Sequence, residues 1–159
     1  MRRGFTLVEI MIVAGILTLL AAVSVPGLLR ARLTANETAT QKNLESVATA
    51  LVSWHTAFAN FTDGEGNPVT LNALGTADPP YLDGAIACPV PPCIRNGYQF
   101  EEITVYDPGQ TYFVWARPTL VNISGFRTFC VTEDGVVRLD PEGNDIADHD
   151  ACRNLGPIQ

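Results

Sequence analysis

Histidine is nearly missing from this chain, which has His55 and His149 and no others. Cations are scarce too: 10 Lys and Arg stand against 17 Asp and Glu, for a net charge of −7 and a pI near 4.6. That balance argues against bulk electrostatic attraction to nucleic acid or to anionic lipid. No Gly-rich phosphate loop, metallohydrolase motif, internal repeat or low-complexity tract is present. With acids too common in the tail to nominate a pair, no catalytic constellation emerges, and the chain reads as something other than an enzyme. Gly and Pro are missing from residues 28–61 and cluster after residue 60. Charge is missing from residues 5–29, with one exception, Glu9.

These gaps frame what is there. Residues 5–25 form an apolar run of about 21 residues, enough to cross a bilayer as a helix. A carboxylate inside such a run costs a few kcal/mol or more, so Glu9 is a functional candidate. Three readings compete for residues 1–25. A cleaved secretory signal requires a shorter apolar core and a small-residue exit, which Val23-Ser24-Val25 supplies poorly. A plain anchor accounts for the length but not for Gly4-Phe5 or Glu9. The third reading accounts for all three features. Arg2-Arg3-Gly4-Phe5-Thr6-Leu7-Val8-Glu9 resembles the prepilin leader of type IV pilins and type II secretion pseudopilins.

The resemblance implies cleavage after Gly4 by a prepilin peptidase and N-methylation of the new terminus, Phe5. A glycine there lets a protease draw the backbone into its site. Cleavage leaves a cationic amine at Phe5, and Glu9 lies about one helical turn on. The family implies that this carboxylate meets the amine of a neighbouring subunit, lowering the cost of burying both charges in a filament core. The alternative is a Glu9 that merely reaches back to the membrane surface. Pro26 follows the span, where the family's helix kinks or locally melts.

The chain divides into a leader, residues 1–4, a membrane and filament-core helix half, 5–27, an amphipathic helix half, 28–61, and a β-rich head, 62–159. Leu44, Val47, Leu51, Trp54, Phe58 and Phe61 recur every three or four residues, one apolar stripe along a helix. Thr34-Ala-Asn-Glu37 matches a capping box and offers a separate helix start; one long helix kinked near Pro26 is preferred. From residue 5 to 60 it would run about 84 Å, too long to be buried in one small domain. Its front half must find lipid first and partner helices later. His55 lacks metal-ligand neighbours and reads as structural.

Residues 71–83 read as a connecting loop. About four antiparallel strands follow, over 97–106, 111–117, 126–132 and 136–139, with turns at Asp107-Pro-Gly-Gln110 and Glu133-Asp-Gly135. Tyr98, Phe100, Ile103 and Val105 break alternation, which predicts a bulge near Glu101-Glu102. The result is an α+β, pilin-like fold. Residues 79–83, 97–98, 125–129 and 134–138 also resemble a bacterial pilin-like subgroup, more loosely than the amino terminus does.

Four cysteines allow three connectivities. The favoured pairs are Cys88 with Cys93, and Cys130 with Cys152, the latter tying down the tail as in the carboxy-terminal loop of many pilins. Zinc on Cys88 and Cys93 with Cys130, His149 or Cys152 is the rival. Because disulfides need an oxidising space, the amino terminus is expected to be cytoplasmic and the head outside. Asp140, Glu142, Asn144, Asp145, Asp148 and Asp150 are candidate calcium ligands; a solvated acidic turn is the plainer alternative. No other cofactor is expected. Sequons at Asn36, Asn60 and Asn122 carry little weight. Expected partners are further copies of the chain, the prepilin peptidase and the inner-membrane assembly machinery. The precursor would be a single-pass inner-membrane protein, later part of a surface pilus or, alternatively, a periplasmic secretion fibre. An anchored binding or enzyme domain that borrows the leader is a third possibility.

Overall fold

The computed structural model describes residues 6–84, 86–88, 92–107 and 109–158. Helix α1, Leu7–Phe58, runs unbroken through Pro26. Its 52 residues extend about 78 Å at 1.5 Å per residue. Thr6 caps it, its hydroxyl accepting from the Glu9 N–H at 3.3 Å. Local melting at Pro26 does not occur: although proline takes the usual donor from the Ala22 carbonyl, both flanks stay helical. Thr34 starts no second helix, because its hydroxyl is turned back onto the Arg30 carbonyl. The helix stops at Phe58, three residues short of the expected end, where Ala59 turns left-handed and its N–H bonds the His55 carbonyl.

The two halves of α1 differ in kind. Every described residue before Leu33 is exposed. From Glu37 onward one face is covered: Glu37, Thr40, Leu44, Val47, Ala48, Ala50 and Leu51 are buried. The stripe therefore reaches the core as far as Leu51. Trp54 packs at its margin, Phe58 is 52% exposed, and Phe61 enters the core from the loop beyond the helix. His55 packs against Phe61, and its Nε2 faces Gln110 Oε1 at 3.4 Å.

Residues 71–76, expected as loop, form a short helix, α2, Leu71–Thr76. Thr70 caps it, and Leu71 and Leu74 bury its inner side. Among the described residues six strands follow rather than four: β1 Cys93–Arg95, β2 Tyr98–Phe100, β3 Thr104–Tyr106, β4 Thr111–Pro118, β5 Thr128–Thr132 and β6 Arg138–Asp140. They form one antiparallel sheet ordered β1-β2-β4-β5-β6, with β3 also pairing β4. The expected bulge splits the first long strand. Between the Phe100–Ala116 and Thr104–Phe113 pairs, the β2–β3 side spends four steps and β4 three. The hairpin joining β1 to β2 turns on Asn96 and Gly97, both at positive φ (51° and 74°). That dipeptide is a strong turn signal, and it marks a strand the sequence reading omitted.

Alternation along β4 sends Tyr112, Val114 and Ala116 to the α1 face, with Phe129 and Val131 of β5. Phe113, Cys130, Ile146 and Cys152 form a smaller core on the opposite face, beneath the tail. Both faces of β5 are thus covered, and all five of its residues are buried. The tail carries α3, His149–Arg153, capped by Asp148.

Candidate functional site

The front of α1 is the feature with no partner among the described residues. Leu7, Val8, Ile10, Met11, Ile12, Val13, Ile16 and Leu17 are each about half exposed or more. This helix is long and apolar enough to cross a membrane by length and composition. Its hydroxyls are satisfied internally: Thr18 bonds the Ala14 and Gly15 carbonyls, and Ser24 the Leu20 carbonyl. Lipid offers no replacement partners, so this self-sufficiency suits a bilayer. Glu9 is the exception, an exposed carboxylate with no partner among the described residues. Gly4 and Phe5 lie outside the described residues, so the expected cleavage and methylation positions have no geometry here.

Residues 1–25 match the family described as the prokaryotic N-terminal methylation motif. The amino-terminal segment carries a methylation motif. A curated relative, the type IV major pilin protein PilA of Myxococcus xanthus (strain DK1622), is 32% identical over 107 residues. The match covers 59% of this chain and 49% of that protein, so the chain spans about half the length of the curated relative. No solved structure matches. The resemblance to the pilin and pseudopilin families thus rests on the motif and this relative together, and the long helix packed on an antiparallel sheet agrees with a pilin fold.

Behind the methylation motif, the head is tied to α1 by a joint that sequence reasoning missed. Glu37 is 8% exposed, and its Oε1 accepts from the Phe126 and Arg127 N–H groups at 3.0 and 3.3 Å. Its other oxygen faces the Arg127 guanidinium at 3.5 Å. Asn36, one residue earlier, donates to the Ser124 carbonyl at 2.8 Å. Tyr98 completes the joint by donating to the Arg127 carbonyl at 2.9 Å, and burial pushes its phenol upward in pKa. A Cβ at Gly125 would collide with the Tyr98 ring, which explains the glycine. The signal in the sequence was an acid on the buried side of a helix, at the same phase as Thr40 and Leu44. The capping-box pattern Thr34-Ala-Asn-Glu37 accounts for the same acid and hides that signal.

The acidic tail does not converge on a cation. Asp140 accepts from the Glu142 N–H, Glu142 pairs with the Asn144 amide, and Asp145 pairs with Arg117 at 3.2 Å. Asp148 accepts from the Ala151 N–H, and Asp150 faces His149 Nδ1. In this structure each candidate calcium ligand other than Asn144, which bonds Glu142, has a local partner of its own on the chain. Among the described residues no group of three or more His, Cys, Asp or Glu is placed to hold a metal. Zinc fares no better: Cys88 is joined to Cys93 and Cys130 to Cys152, and no described cysteine is free. His149 is occupied by Glu133, whose Oε2 lies 2.7 Å from its Nε2. Burial opposes charge on that imidazole, but the hydrogen bonds to Glu133 and Asp150 outweigh it and raise the pKa. Arg138 bonds Asp134 and holds its carboxyl near pKa 2.

Proposed function

We propose that this chain is a type IV pilin-like structural subunit that polymerises through α1 into a pilus. Its role is mechanical: the chain is the substrate of a peptidase, not a catalyst. The precursor waits in the inner membrane with its amino terminus in the cytoplasm and its disulfide-bonded head outside. A prepilin peptidase cuts after Gly4 and methylates Phe5. The observation that carries the reading is the unpartnered front of α1, rigidly continuous with a rear half that anchors a folded head. Such a helix satisfies its apolar surface in lipid as a monomer and among other helices as a polymer. Glu9 then pairs with the Phe5 amine of the next subunit, and residues 5–25 supply the lateral contacts.

The test is intact-mass analysis of surface-sheared and cell-retained fractions from the native host. The expected sheared species lacks residues 1–4, is one methyl heavier and, through two disulfides, four hydrogens lighter. The same mature mass confined to the cell envelope would favour the secretion pseudopilin. An uncut precursor as the sole form would overturn both. Glu9→Ala should leave the head folded and lower filament yield; unchanged yield would remove the assembly role of Glu9.

A further inference from the structure

We propose that the base of the head, residues 119–127, is a second membrane contact: an apolar seat, with Arg30 and Arg32 of α1 beside it, on the anionic lipid surface where α1 leaves the bilayer. This rests on the spanning role of residues 5–25 given above.

Three observations lead there. The first is position. The loop is pinned to α1 at Asn36 and Glu37, where the head first covers the helix. A span of about 20 residues ends near Pro26. Asn36 lies ten residues, about 15 Å, beyond that. The polar zone of each leaflet takes about 5–7 Å of this distance. The ordinary tilt of a spanning helix, about 20°, lowers one side of the head further.

The second is exposure without looseness. Leu120, Val121, Ile123 and Phe126 are 58%, 52%, 70% and 42% exposed. Yet the turn that carries them is heavily braced. The Ser124 hydroxyl accepts from the Leu120 N–H at 3.0 Å, and the Asn122 N–H donates to the Gly125 carbonyl at 2.8 Å. Thr119 bonds the Gly97 carbonyl through both its N–H and its hydroxyl. A rigid turn holding four large apolar side chains in water marks a contact surface.

The third is charge. The chain carries −7 overall, yet residues 10–36 and 118–132 contain no acid at all. Arg30, Arg32 and Arg127 are cations of this end; Arg30 and Arg32 are exposed and Arg127 half so. Two sets of acids approach this loop. Glu37 is buried and spent on Phe126 and Arg127. The turn from Asp140 to Asp145 packs Gly143 against the Phe126 carbonyl, with Asp145 paired to Arg117. Arg30 and Arg32 lie between the span and these acids along α1. An apolar tip beside Arg30 and Arg32 matches an anionic interface. A second copy could meet this surface only after assembly, whereas the covalent tether holds it at the bilayer in every unassembled subunit.

No described cysteine is free, so one introduced thiol labels a single position. Full-length chains with Ile123→Cys, Ile16→Cys or Glu65→Cys would carry a nitroxide in vesicles of phosphatidylglycerol and phosphatidylethanolamine. Collision with dissolved oxygen against a water-soluble nickel chelate reports depth. Position 16 should read as hydrocarbon, 65 as water and 123 as the interface, several-fold more shielded from nickel than 65. Replacing phosphatidylglycerol by phosphatidylcholine, or adding Arg30→Gln and Arg32→Gln, should return 123 towards water. A water-exposed 123 beside a hydrocarbon-buried 16 overturns the seat and leaves the span intact. If 16 is also in water, both readings fall. A position 123 shielded in sheared filaments but not in vesicles assigns the loop to a second copy and overturns the membrane seat.

Discussion

Glu37 joins the helix to a loop 89 residues later in the chain, beside the Asn36 bond to Ser124. Truncating it would leave the Phe126 and Arg127 N–H groups and a guanidinium without their acceptor. Glu37→Ala is expected to cost about 2–3 kcal/mol, because an orphaned buried donor loses its full solvation. Glu37→Gln keeps one accepting oxygen and should cost less. Denaturant midpoints of the three proteins would check this, and equal midpoints would refute it. His149 offers a test in pH. Its pKa is raised in the folded state by Glu133 and Asp150, against the opposing effect of burial. A raised pKa means the charged form favours folding. The contribution is full below the ordinary imidazole value of 6.5 and is lost as pH rises through the folded value. The stability gap between the native chain and His149→Gln should therefore be widest in mild acid and shrink above neutrality. A gap that widens with pH would contradict the pairing.

At the scale of elements, α1 holds two environments in one rod. Its rear half supplies Leu44, Val47 and Leu51 to the core; its front half buries nothing. The central strands β4 and β5 are covered by α1 on one face and by the tail on the other. The tail is held by the bond between Cys130 in β5 and Cys152 in α3, 22 residues apart. A closed loop of that length is worth about 3 kcal/mol through the entropy of the unfolded chain. The double substitution Cys130→Ala, Cys152→Ala should lower stability by about that amount. Residues 141–158 should become the first site of proteolysis, while the α1-facing core persists. Simultaneous loss of both cores would show that the tail is not separable.

Over the whole molecule, the head needs nothing from the front of the helix. A chain beginning at Ala31 keeps Leu33, the Glu37 joint and the entire buried stripe. It should be soluble without detergent, monomeric in sedimentation and close to the full chain in thermal midpoint. An insoluble or unfolded product would mean that residues 7–30 contribute to the fold.

The long helix, its membrane-like front, the 44–51 stripe and the bulge after Phe100 were all legible in the chain. Each is written in local spacing: an unbroken apolar run, a three-and-four repeat, a lapse in alternation. One strand, β1, and α2 were missed despite local cues in Asn96-Gly97 and Thr70, because such short elements take their stability from what they pack on. The tail acids show the limit most plainly. Composition places six oxygen-bearing side chains within eleven residues, but direction decides chemistry, and the fold turns Asp145 to Arg117, Asp148 to a helix cap and Asp150 to His149. The partnership of Glu37 with Phe126 and Arg127, and the apolar turn it sets above the membrane exit, exist only once the sheet has folded back onto the helix. Sequence by itself determined where this protein can be helical, where it must avoid water and where it turns; tertiary structure decided which charged groups meet, because that depends on contacts between residues far apart in the chain.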